Sequence, residues 1–393
     1  MNFLQFFLYT YDEFQDCDSE QIHMLKLLSG CSNLFAVGDE DQCIYGFRGS
    51  IPDCMVEFER YFNGGVKFFL NKNYRSSSDI IEISRKLISK NKERNVKEMV
   101  GVREERGTVT IIKYKTEREQ AEGMIDIIKA NGFKPSECAV LSRTNQEAEK
   151  VIGILIRDKI SFRLMDKNYN FFRLDICRDI AAYFRLSQDP CNKESFLRII
   201  NKPCRYISKI KIGKINCCKT SENWFSFLEA DTNMEPWQLK YIHAFERNTK
   251  RLGRLSPEKA LIFLLDRIKY KDEVPADKQD VLAEFMDLCK EYKTIPELLT
   301  YIDTYNSRLN EDMPDALVLS TIHGSKGLEY KNLFIINCCS DNIPHENSKN
   351  NLEEERRLFY VALTRAADNL HIMYPENFKG NKAEPSPFIN ECM

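Results

Sequence analysis

The sequence predicts an α/β protein in which a parallel sheet is covered by helices and interrupted by a helical insertion. Short apolar runs alternate with longer amphipathic segments through the first half of the chain, a pattern typical of a parallel sheet with helices on its faces. From about residue 189 to 312 the pattern is helical and is broken by several prolines, after which the alternation resumes. A sheet that is interrupted and then completed accounts for these observations.

The individual elements follow from apolar periodicity. Before the insertion, strands are predicted at Phe3–Tyr11, Leu34–Val37, Val66–Leu70, Val109–Tyr114 and Ala139–Leu141. Helices are predicted at Ser78–Ser89, Glu117–Ala130 and Gln146–Asp158, where apolar residues recur at three and four positions. After the insertion the pattern predicts strands at Leu317–Ser320, Leu333–Asn337 and Leu370–Tyr374, and a helix at Leu352–Thr364.

Length and composition indicate a globular protein of two or three folded units. The 393 residues are 43% hydrophobic and 30% charged, which argues against disorder and fibrous repeats. The net charge of −2 shows no overall basic excess, so any nucleic-acid site must be a local patch. The 14 cysteines form no CxxC pair, and no apolar run is long enough to span a bilayer, so a cytoplasmic protein without membrane partners is expected.

Two acidic or polar segments directly follow predicted strands, where ligands bind in parallel sheets. Residues 11–16 read Tyr-Asp-Glu-Phe-Gln-Asp, in which Asp12 can hold Mg²⁺ through its water shell and Glu13 can orient or deprotonate a water. Residues 38–49 combine glycines with Gln42, Tyr45, Phe47 and Arg48, a set suited to phosphate sensing and to stacking on single strands. A solvated acidic loop and buried core aromatics are the alternative interpretations.

Three further segments carry groups suited to nucleotide chemistry. Residues 73–76 read Asn-Tyr-Arg-Ser, where the Tyr ring can stack on a base and the Arg can reach a phosphate. Residues 321–329 read Thr-Ile-His-Gly-Ser-Lys-Gly-Leu-Glu, and residues 353–365 form a predicted helix that ends in Arg365. An arginine that points from a helix end into a cleft can stabilise a phosphoryl-transfer transition state.

In their order and in their residues, these five segments resemble the later motifs of the UvrD-like superfamily 1 DNA helicases. The resemblance runs from the Walker B motif through the glutamine sensor to the final arginine motif and covers nearly the whole chain. It implies RecA-like (P-loop NTPase) parallel sheets with a helical insertion, ATP and Mg²⁺ as cofactors, and ATP hydrolysis coupled to 3′-to-5′ movement on single-stranded DNA. Single-stranded DNA and single/double-strand junctions are the implied partners.

The resemblance also implies a role for each matching residue. Asp12 would coordinate Mg²⁺, Glu13 would be the catalytic base, and Arg365 would act as an arginine finger. The implied nucleotide contacts are Gln42, Arg75 and Arg365 on the γ-phosphate, Tyr74 on the adenine and Glu329 on the ribose. The implied contacts with single-stranded DNA are Tyr45, Phe47, Arg48, Thr321 and His323. Phe47 stands where many members of the family have Trp, so base stacking is expected to be weaker there.

The family also has a phosphate-binding loop, Gly-x-x-x-x-Gly-Lys-Ser/Thr, upstream of the Walker B motif, and no such loop occurs in the 393 residues. The first RecA-like lobe is therefore expected to be incomplete and to expose apolar surface and an unpaired sheet edge. Three explanations of the missing loop compete: a truncated or frame-shifted gene product, one half of a split protein, and a remnant with a non-motor role. Truncation is favoured. A separate polypeptide that supplies the missing lobe would be a partner.

Four segments are predicted from these observations. Residues 1–70 form a remnant of the first RecA-like lobe, 71–188 and 313–393 the two parts of the second lobe, and 189–312 the inserted helical subdomain. Two functions from other classes stay open beside the helicase. One is a non-enzymatic module for single-stranded DNA or for protein interaction, and the other is a metal nuclease that uses Asp12, Glu13 and Asp16.

The helical insertion contains one basic stretch, Lys193–Lys219, in which Glu194 is the only acid. Comparable segments of the family have a Gly-Ile-Gly turn that holds duplex phosphates, whereas Tyr206 and Ser208 replace the glycines here. A close approach of this backbone to duplex phosphates is therefore not expected. The basic stretch is interpreted either as a duplex contact or as a lysine-rich, solvated helix face.

Overall fold

The computed structural model describes residues 8–30, 33–218, 223–309, 311, 313, 315–348 and 351–393. The chain divides into two compact units, residues 1–169 with 312–393 and residues 170–311. The second unit thus starts before the insertion boundary predicted at residue 189, because the helix Asp175–Gln188 is part of it. The predicted division into four segments stays a prediction.

Most of the predicted strands and helices are present, with small differences at their ends, alongside short strands that the apolar periodicity did not predict. The strands are β1 (Leu8–Tyr11), β2 (Asn33–Ala36), β3 (Lys72–Asn73), β4 (Val100–Gly101), β5 (Thr108–Thr116), β6 (Cys138–Ser142), β7 (Phe162–Leu164), β8 (Leu317–Thr321), β9 (Tyr330–Ile335), β10 (Ala366–Phe378) and β11 (Asn381–Lys382). The helices of the first unit are α1 (Ser19–Ser29), α2 (Asp53–Val56), α3 (Phe58–Tyr61), α4 (Ser78–Ile88), α5 (Glu117–Ala130), α6 (Glu149–Arg157), α15 (Leu352–Leu363) and α16 (Pro387–Cys392). Those of the second unit are α7 (Asp175–Gln188), α8 (Lys193–Ile199), α9 (Lys209–Cys217), α10 (Trp224–Glu229), α11 (Pro236–Leu252), α12 (Pro257–Asp266), α13 (Gln279–Glu291) and α14 (Ile295–Leu309).

The main sheet of the first unit has seven strands within the described residues. Its order is β11-β10-β9-β6-β8-β7, and β5 pairs with β10. Neighbouring strands are parallel except β10 and β11. The central strand β6 is buried at every position, as expected for a parallel strand covered on both faces. The predicted α/β class with a parallel sheet and covering helices is confirmed.

A second, smaller sheet pairs β1 with β2 in parallel, so that Tyr11 lies opposite Ala36. One face packs on a small core around Phe14, Ile22 and Cys54. The other face leaves Leu8 and Phe35 exposed. Residues 3–7 of the strand predicted at Phe3–Tyr11 lie outside the described residues.

The strand predicted at Val66–Leu70 is wrong. The segment is irregular, and Val66, Phe68 and Leu70 are exposed. An apolar run forms a strand only where a neighbouring strand pairs with its backbone, and no strand of the described residues does so here. The first pairing after this segment is the two-residue ladder between β3 and β4.

The second unit is helical throughout its described residues. Its core is rich in aromatic side chains, with Phe196, Phe225 and Phe245 in mutual ring contact on one side of α7. Phe171, Phe172, Phe285 and Tyr305 form a further group. None of the described helices of the chain is long and apolar enough to cross a membrane.

Candidate nucleotide and DNA site

The loops that follow β1 and β2 lie side by side because their strands are parallel neighbours. Asp12 and Glu13 are both exposed, and Glu13 adopts the left-handed backbone conformation with φ 53°, which is uncommon for a residue other than glycine. The buried Gln15 joins the two loops: its Nε2 donates to Glu13 Oε2 over 2.6 Å, and its Oε1 accepts from the Asp39 N–H over 3.0 Å. A Cβ atom at Gly38 would clash with Gln15 Oε1, so a larger residue there would have to displace the Gln15 side chain that joins the loops.

Gln42 is held at both ends of its side-chain amide. Its Nε2 donates to Asp39 Oδ2 over 2.9 Å, and its Oε1 accepts from the Arg365 guanidinium over 3.2 Å. The glutamine from the β2 loop and the arginine from the end of α15 are therefore brought together, although 323 residues separate them. With both amide atoms engaged, the glutamine has a defined orientation toward the arginine.

Arg365 is buried and is oriented by the protein on several sides. Its Nε donates to Val361 O over 3.1 Å, and its two terminal nitrogens donate to Leu328 O over 3.2 Å and to Thr364 Oγ1 over 3.1 Å. Burial and the nearby charge of Arg75 lower the pKa of Arg365 to about 10. The Arg365 guanidinium is buried and that of Arg75 is partly open to solvent, and the repulsion between the two positive charges favours the binding of an anion.

Arg75, from the loop after β3, reaches across to the loop that precedes β9. Its Nε donates to Glu329 Oε2 over 2.6 Å, and both side chains are partly open to solvent. The neighbouring Tyr74 is exposed. The structure thus places Gln42, Arg75, Glu329 and Arg365 around one region, with Tyr74 at its exposed margin.

Lys326 links the loops that follow β1 and β2, although no sequence pattern predicted a role for it. Its ammonium forms an ion pair with Asp16 and donates to the Gln42 carbonyl over 3.1 Å. It also lies 3.7 Å from Glu13 Oε2. Burial raises the pKa of Asp16, and the Lys326 charge opposes that rise. Lys326 belongs to the segment 321–329, and its membership of that segment is the sequence feature that could have predicted a role at the site.

An aromatic and cationic group forms beside this region. The Phe47 ring is 5.8 Å from both the Tyr45 and the His323 rings, and the Arg48 guanidinium lies 5.0 Å from the Tyr45 ring centre. Phe47 has 68% of its surface exposed, so the interpretation of this aromatic as a core residue is wrong. Thr321 is placed nearby by β8, where its Oγ1 accepts from the Gly324 N–H over 3.1 Å.

His323 is a neutral imidazole at physiological pH. Burial, together with the charges of Arg143 and Arg48, lowers its pKa to about 4. The Arg143 guanidinium is 3.3 Å from His323 Nδ1 and donates to Glu355 Oε1 over 2.6 Å. Arg143 and Glu355 therefore orient the histidine. Glu355 lies in the predicted helix 353–365, but no sequence pattern predicted a role for either residue.

A buried ion-pair cluster supports the β2 loop from beneath. Lys97 Nζ lies 2.5 Å from Asp39 Oδ1 and 2.7 Å from Glu40 Oε2. The Arg94 guanidinium makes a two-pronged contact with Asp41, over 3.1 and 2.9 Å. Because Asp39 also holds the Gln42 amide, this cluster helps to set the position of the glutamine.

The carboxylates at the end of β1 fit a Mg²⁺ ion that keeps most of its waters. Asp12 is an exposed carboxylate, and Asp16 Oδ1 is buried without a hydrogen-bond partner. Among the residues that the structure describes, no three His, Cys, Asp or Glu side chains are grouped as ligands of a single metal ion. One or two carboxylates suffice where substrate phosphates supply the other ligands.

Known proteins are similar to this chain over nearly all of its length. The putative ATP-dependent DNA helicase YjcD of Bacillus subtilis is 29% identical, with 96% of this chain and 53% of the relative covered. ATP-dependent DNA helicase PcrA of the same organism is 28% identical, with 92% and 54% covered. A probable DNA helicase II homolog of Rickettsia conorii is 26% identical, with 97% and 63% covered. The chain spans between half and two thirds of the length of these relatives.

Among solved structures, the C-terminal domain of a possible DNA helicase from Lactobacillus plantarum is similar at 10% identity and a TM-score of 0.33, with 82% of this chain and 94% of that chain covered. Two protein-family models match the chain in succession. The model of the UvrD/REP helicase N-terminal domain matches residues 5–63, and that of the UvrD-like helicase C-terminal domain matches residues 68–377. The second match alone covers well over half of the sequence. The chain therefore belongs to the UvrD-like helicase family.

Proposed function

We propose that this chain is part of an ATP-driven motor that moves 3′ to 5′ along single-stranded DNA. The observation that carries the proposal is the contact between Gln42 and the buried Arg365, with the Arg75 charge close by. Two arginines and a glutamine supplied by distant segments form a place that favours a polyphosphate. The relatives PcrA and YjcD carry the names of ATP-dependent DNA helicases, which supports the same assignment.

Within this proposal each residue at the nucleotide keeps the role that the resemblance implies. Mg²⁺, when bound, would neutralise charge on the β- and γ-phosphates, and Asp12 would hold it through water. Glu13 would orient and deprotonate the attacking water, while Arg365 would stabilise the charge of the transition state. Glu329 would reach the ribose and Arg75 the γ-phosphate, which requires their mutual hydrogen bond of 2.6 Å to open. Gln42 would sense the γ-phosphate, and Tyr74 would stack on the adenine.

The contact with DNA would use the aromatic and cationic group of the first unit. Tyr45 and Phe47 would stack on bases, and Arg48 would stay near the backbone phosphates. Thr321 and the neutral His323 would add polar contacts. The proposed ligands are single strands and single/double-strand junctions.

The competing proposal is a module that binds single strands without hydrolysing ATP. It is favoured by one observation, the absence of a Gly-x-x-x-x-Gly-Lys-Ser/Thr loop from the 393 residues. The backbone N–H groups and the lysine of that loop supply most of the grip on the β- and γ-phosphates. In the motor proposal a separate polypeptide or a further segment provides this loop.

The isolated 393-residue chain is expected to hydrolyse ATP negligibly, even with saturating single-stranded DNA, since its sequence contains no Gly-x-x-x-x-Gly-Lys-Ser/Thr loop to cradle the β- and γ-phosphates. A steady-state phosphate-release assay with and without oligo(dT) measures this. Robust DNA-stimulated turnover that disappears in Glu13→Gln would show that another element of this chain holds the phosphates.

Replacing Phe47 by alanine is expected to weaken binding to oligo(dT) by about 1–3 kcal/mol, because one stacking contact is lost. Fluorescence anisotropy at several salt concentrations measures the effect, and the affinity of both proteins should fall as salt rises. Phe68→Ala is the matched control, since Phe68 is an exposed phenylalanine of the same unit away from the proposed contact. Equal affinities of wild type and Phe47→Ala would refute the assignment of Phe47.

A further inference from the structure

Three exposed aromatic side chains form a cluster on the second unit. Tyr206 lies in the loop before α9, and Trp237 and Tyr241 lie one turn apart on α11. The Tyr206 ring centre is 5.8 Å from that of Trp237 and 6.3 Å from that of Tyr241, and the latter two are 6.2 Å apart. Tyr206 has 62% of its surface exposed, and Trp237 and Tyr241 have 46% each. We call these three residues the aromatic platform.

The loop that presents Tyr206 is held rigidly in an unfavourable backbone conformation. Tyr206 has φ 59°, in the left-handed region that bulky residues rarely adopt. Asn201 fixes the loop on either side, because its Oδ1 accepts from the N–H groups of Arg205 and Ile207. The Tyr206 carbonyl accepts from Gln238 Nε2 over 2.9 Å, which ties the loop to α11.

Arg205 anchors the same loop from inside. Its guanidinium donates to Ile199 O and Ile200 O over 2.8 and 3.0 Å and to the Tyr183 hydroxyl over 2.7 Å. It also lies 3.9 Å from the centre of the Phe245 ring. Such a network holds an outlying backbone conformation in place, and conformations of this kind concentrate where ligands bind.

The charge around the platform indicates the chemistry of its ligand. Lys240 is exposed one turn after Trp237 on α11, and Lys209 is exposed three residues after Tyr206. The stretch Lys193–Lys219, which includes Lys209, has a single acid. Aromatic rings flanked by lysines match a ligand that combines flat π-systems with negative charge, as a nucleic-acid strand does.

We propose that the aromatic platform stacks on unpaired bases of a DNA strand and is a second strand-binding surface of this protein. It goes beyond the proposed function, whose DNA contacts lie in the first unit around Tyr45 and Phe47, and rests on it only in taking DNA as the polymer. Because every base has a π-face, the binding should be tolerant of sequence and sensitive to salt.

The tryptophans of the chain provide a direct probe, since there are only two. Trp224 is 1% exposed and its indole N–H donates to Cys191 O, whereas Trp237 belongs to the platform. Saturating oligo(dT) is expected to quench the Trp237 emission and to protect it from acrylamide. Trp237→Phe should abolish both changes while the residual Trp224 emission stays constant.

Tyr206→Gly tests the platform without disturbing its loop, because glycine adopts φ 59° freely. We expect its affinity for oligo(dT), read from the Trp237 quench, to fall about tenfold, while Tyr206→Phe stays within about twofold of wild type. Circular dichroism and urea unfolding show that the variants are folded.

The outcomes separate this proposal from the proposed function. Phe47→Ala should lower the affinity measured by anisotropy and leave the quench amplitude of Trp237 at saturation unchanged. If Phe47→Ala binds oligo(dT) as tightly as wild type while oligo(dT) still quenches Trp237, only the proposed DNA surface of the first unit is overturned. Oligo(dT) that binds by anisotropy without changing Trp237 emission overturns the platform proposal, as does quenching by an apolar or proline-rich peptide but not by oligo(dT).

Discussion

Arg365→Lys is expected to lower DNA-stimulated ATP hydrolysis by about 10³-fold, the usual contribution of an arginine finger. The assay combines this chain with a fragment that carries the phosphate loop, such as the N-terminal half of Bacillus subtilis PcrA, and follows phosphate release with saturating oligo(dT). The Arg365 guanidinium is planar and uses separate nitrogens for Leu328 O and Gln42 Oε1. A lysine ammonium is a point charge and cannot reproduce that fork.

Arg356→Lys is the matched control for this experiment. Arg356 is a buried arginine of the same helix α15, where it pairs with Glu391 over 2.6 Å and donates to Asn91 Oδ1 over 2.6 Å. It has a structural position, so hydrolysis should stay within about threefold of wild type once both proteins are shown to be folded. Equal losses in the two variants would mean that Arg365 contributes to stability and not to the transition state.

Lys97→Met is expected to lower the free energy of unfolding by about 3–5 kcal/mol, because it leaves buried carboxylates without their cation. Burial alone would raise the pKa of Asp39, yet the Lys97 charge together with hydrogen bonds from Lys97, Gln42 and the Asp41 N–H outweighs it and holds that pKa below its ordinary value. The pKa of Lys97 is raised in return, since Asp39, Asp41 and Glu40 outweigh its own desolvation. Urea unfolding followed by circular dichroism measures the loss.

Lys113→Met is the control for the loss of an ordinary ion pair. Lys113 lies 2.9 Å from Glu376, and both side chains are about half exposed. Exposed pairs contribute roughly 0–1 kcal/mol, so this variant should unfold close to wild type. If Lys97→Met were equally mild, the cluster would not hold the β2 loop, and the position of Gln42 would need another cause.

The sheet and the main groups of the site were predictable because both depend on local patterns. Apolar runs marked five of the seven strands of the main sheet, all but the short β7 and β11, and polar residues directly after β1, β2 and β8 marked the edge where the loops meet. The resemblance then paired Gln42 with Arg365 across the chain. In each case the residue type and its place directly after a strand, or after the helix α15 for Arg365, contain the information.

The remaining contacts depend on three-dimensional packing that no short pattern encodes. Arg94 and Lys97 lie in a segment without regular periodicity, and only the fold shows that they meet the acids of the β2 loop. The strand predicted at Val66–Leu70 failed for the converse reason, since an apolar run contains no information on whether a neighbour pairs with it. Tyr206 was noted only as a glycine replacement, and its partners on α11 became visible in the structure.

The small sheet of β1 and β2 has a consequence for handling the isolated chain. Within the described residues this sheet has only these two strands, which pair with each other. Leu8, Phe35 and the irregular run around Phe68 add apolar side chains to the same unit. Exposed apolar groups on and beside so small a sheet favour self-association, so concentrated preparations should become turbid on warming, and a molecule that covers these side chains should act as a solubilising agent.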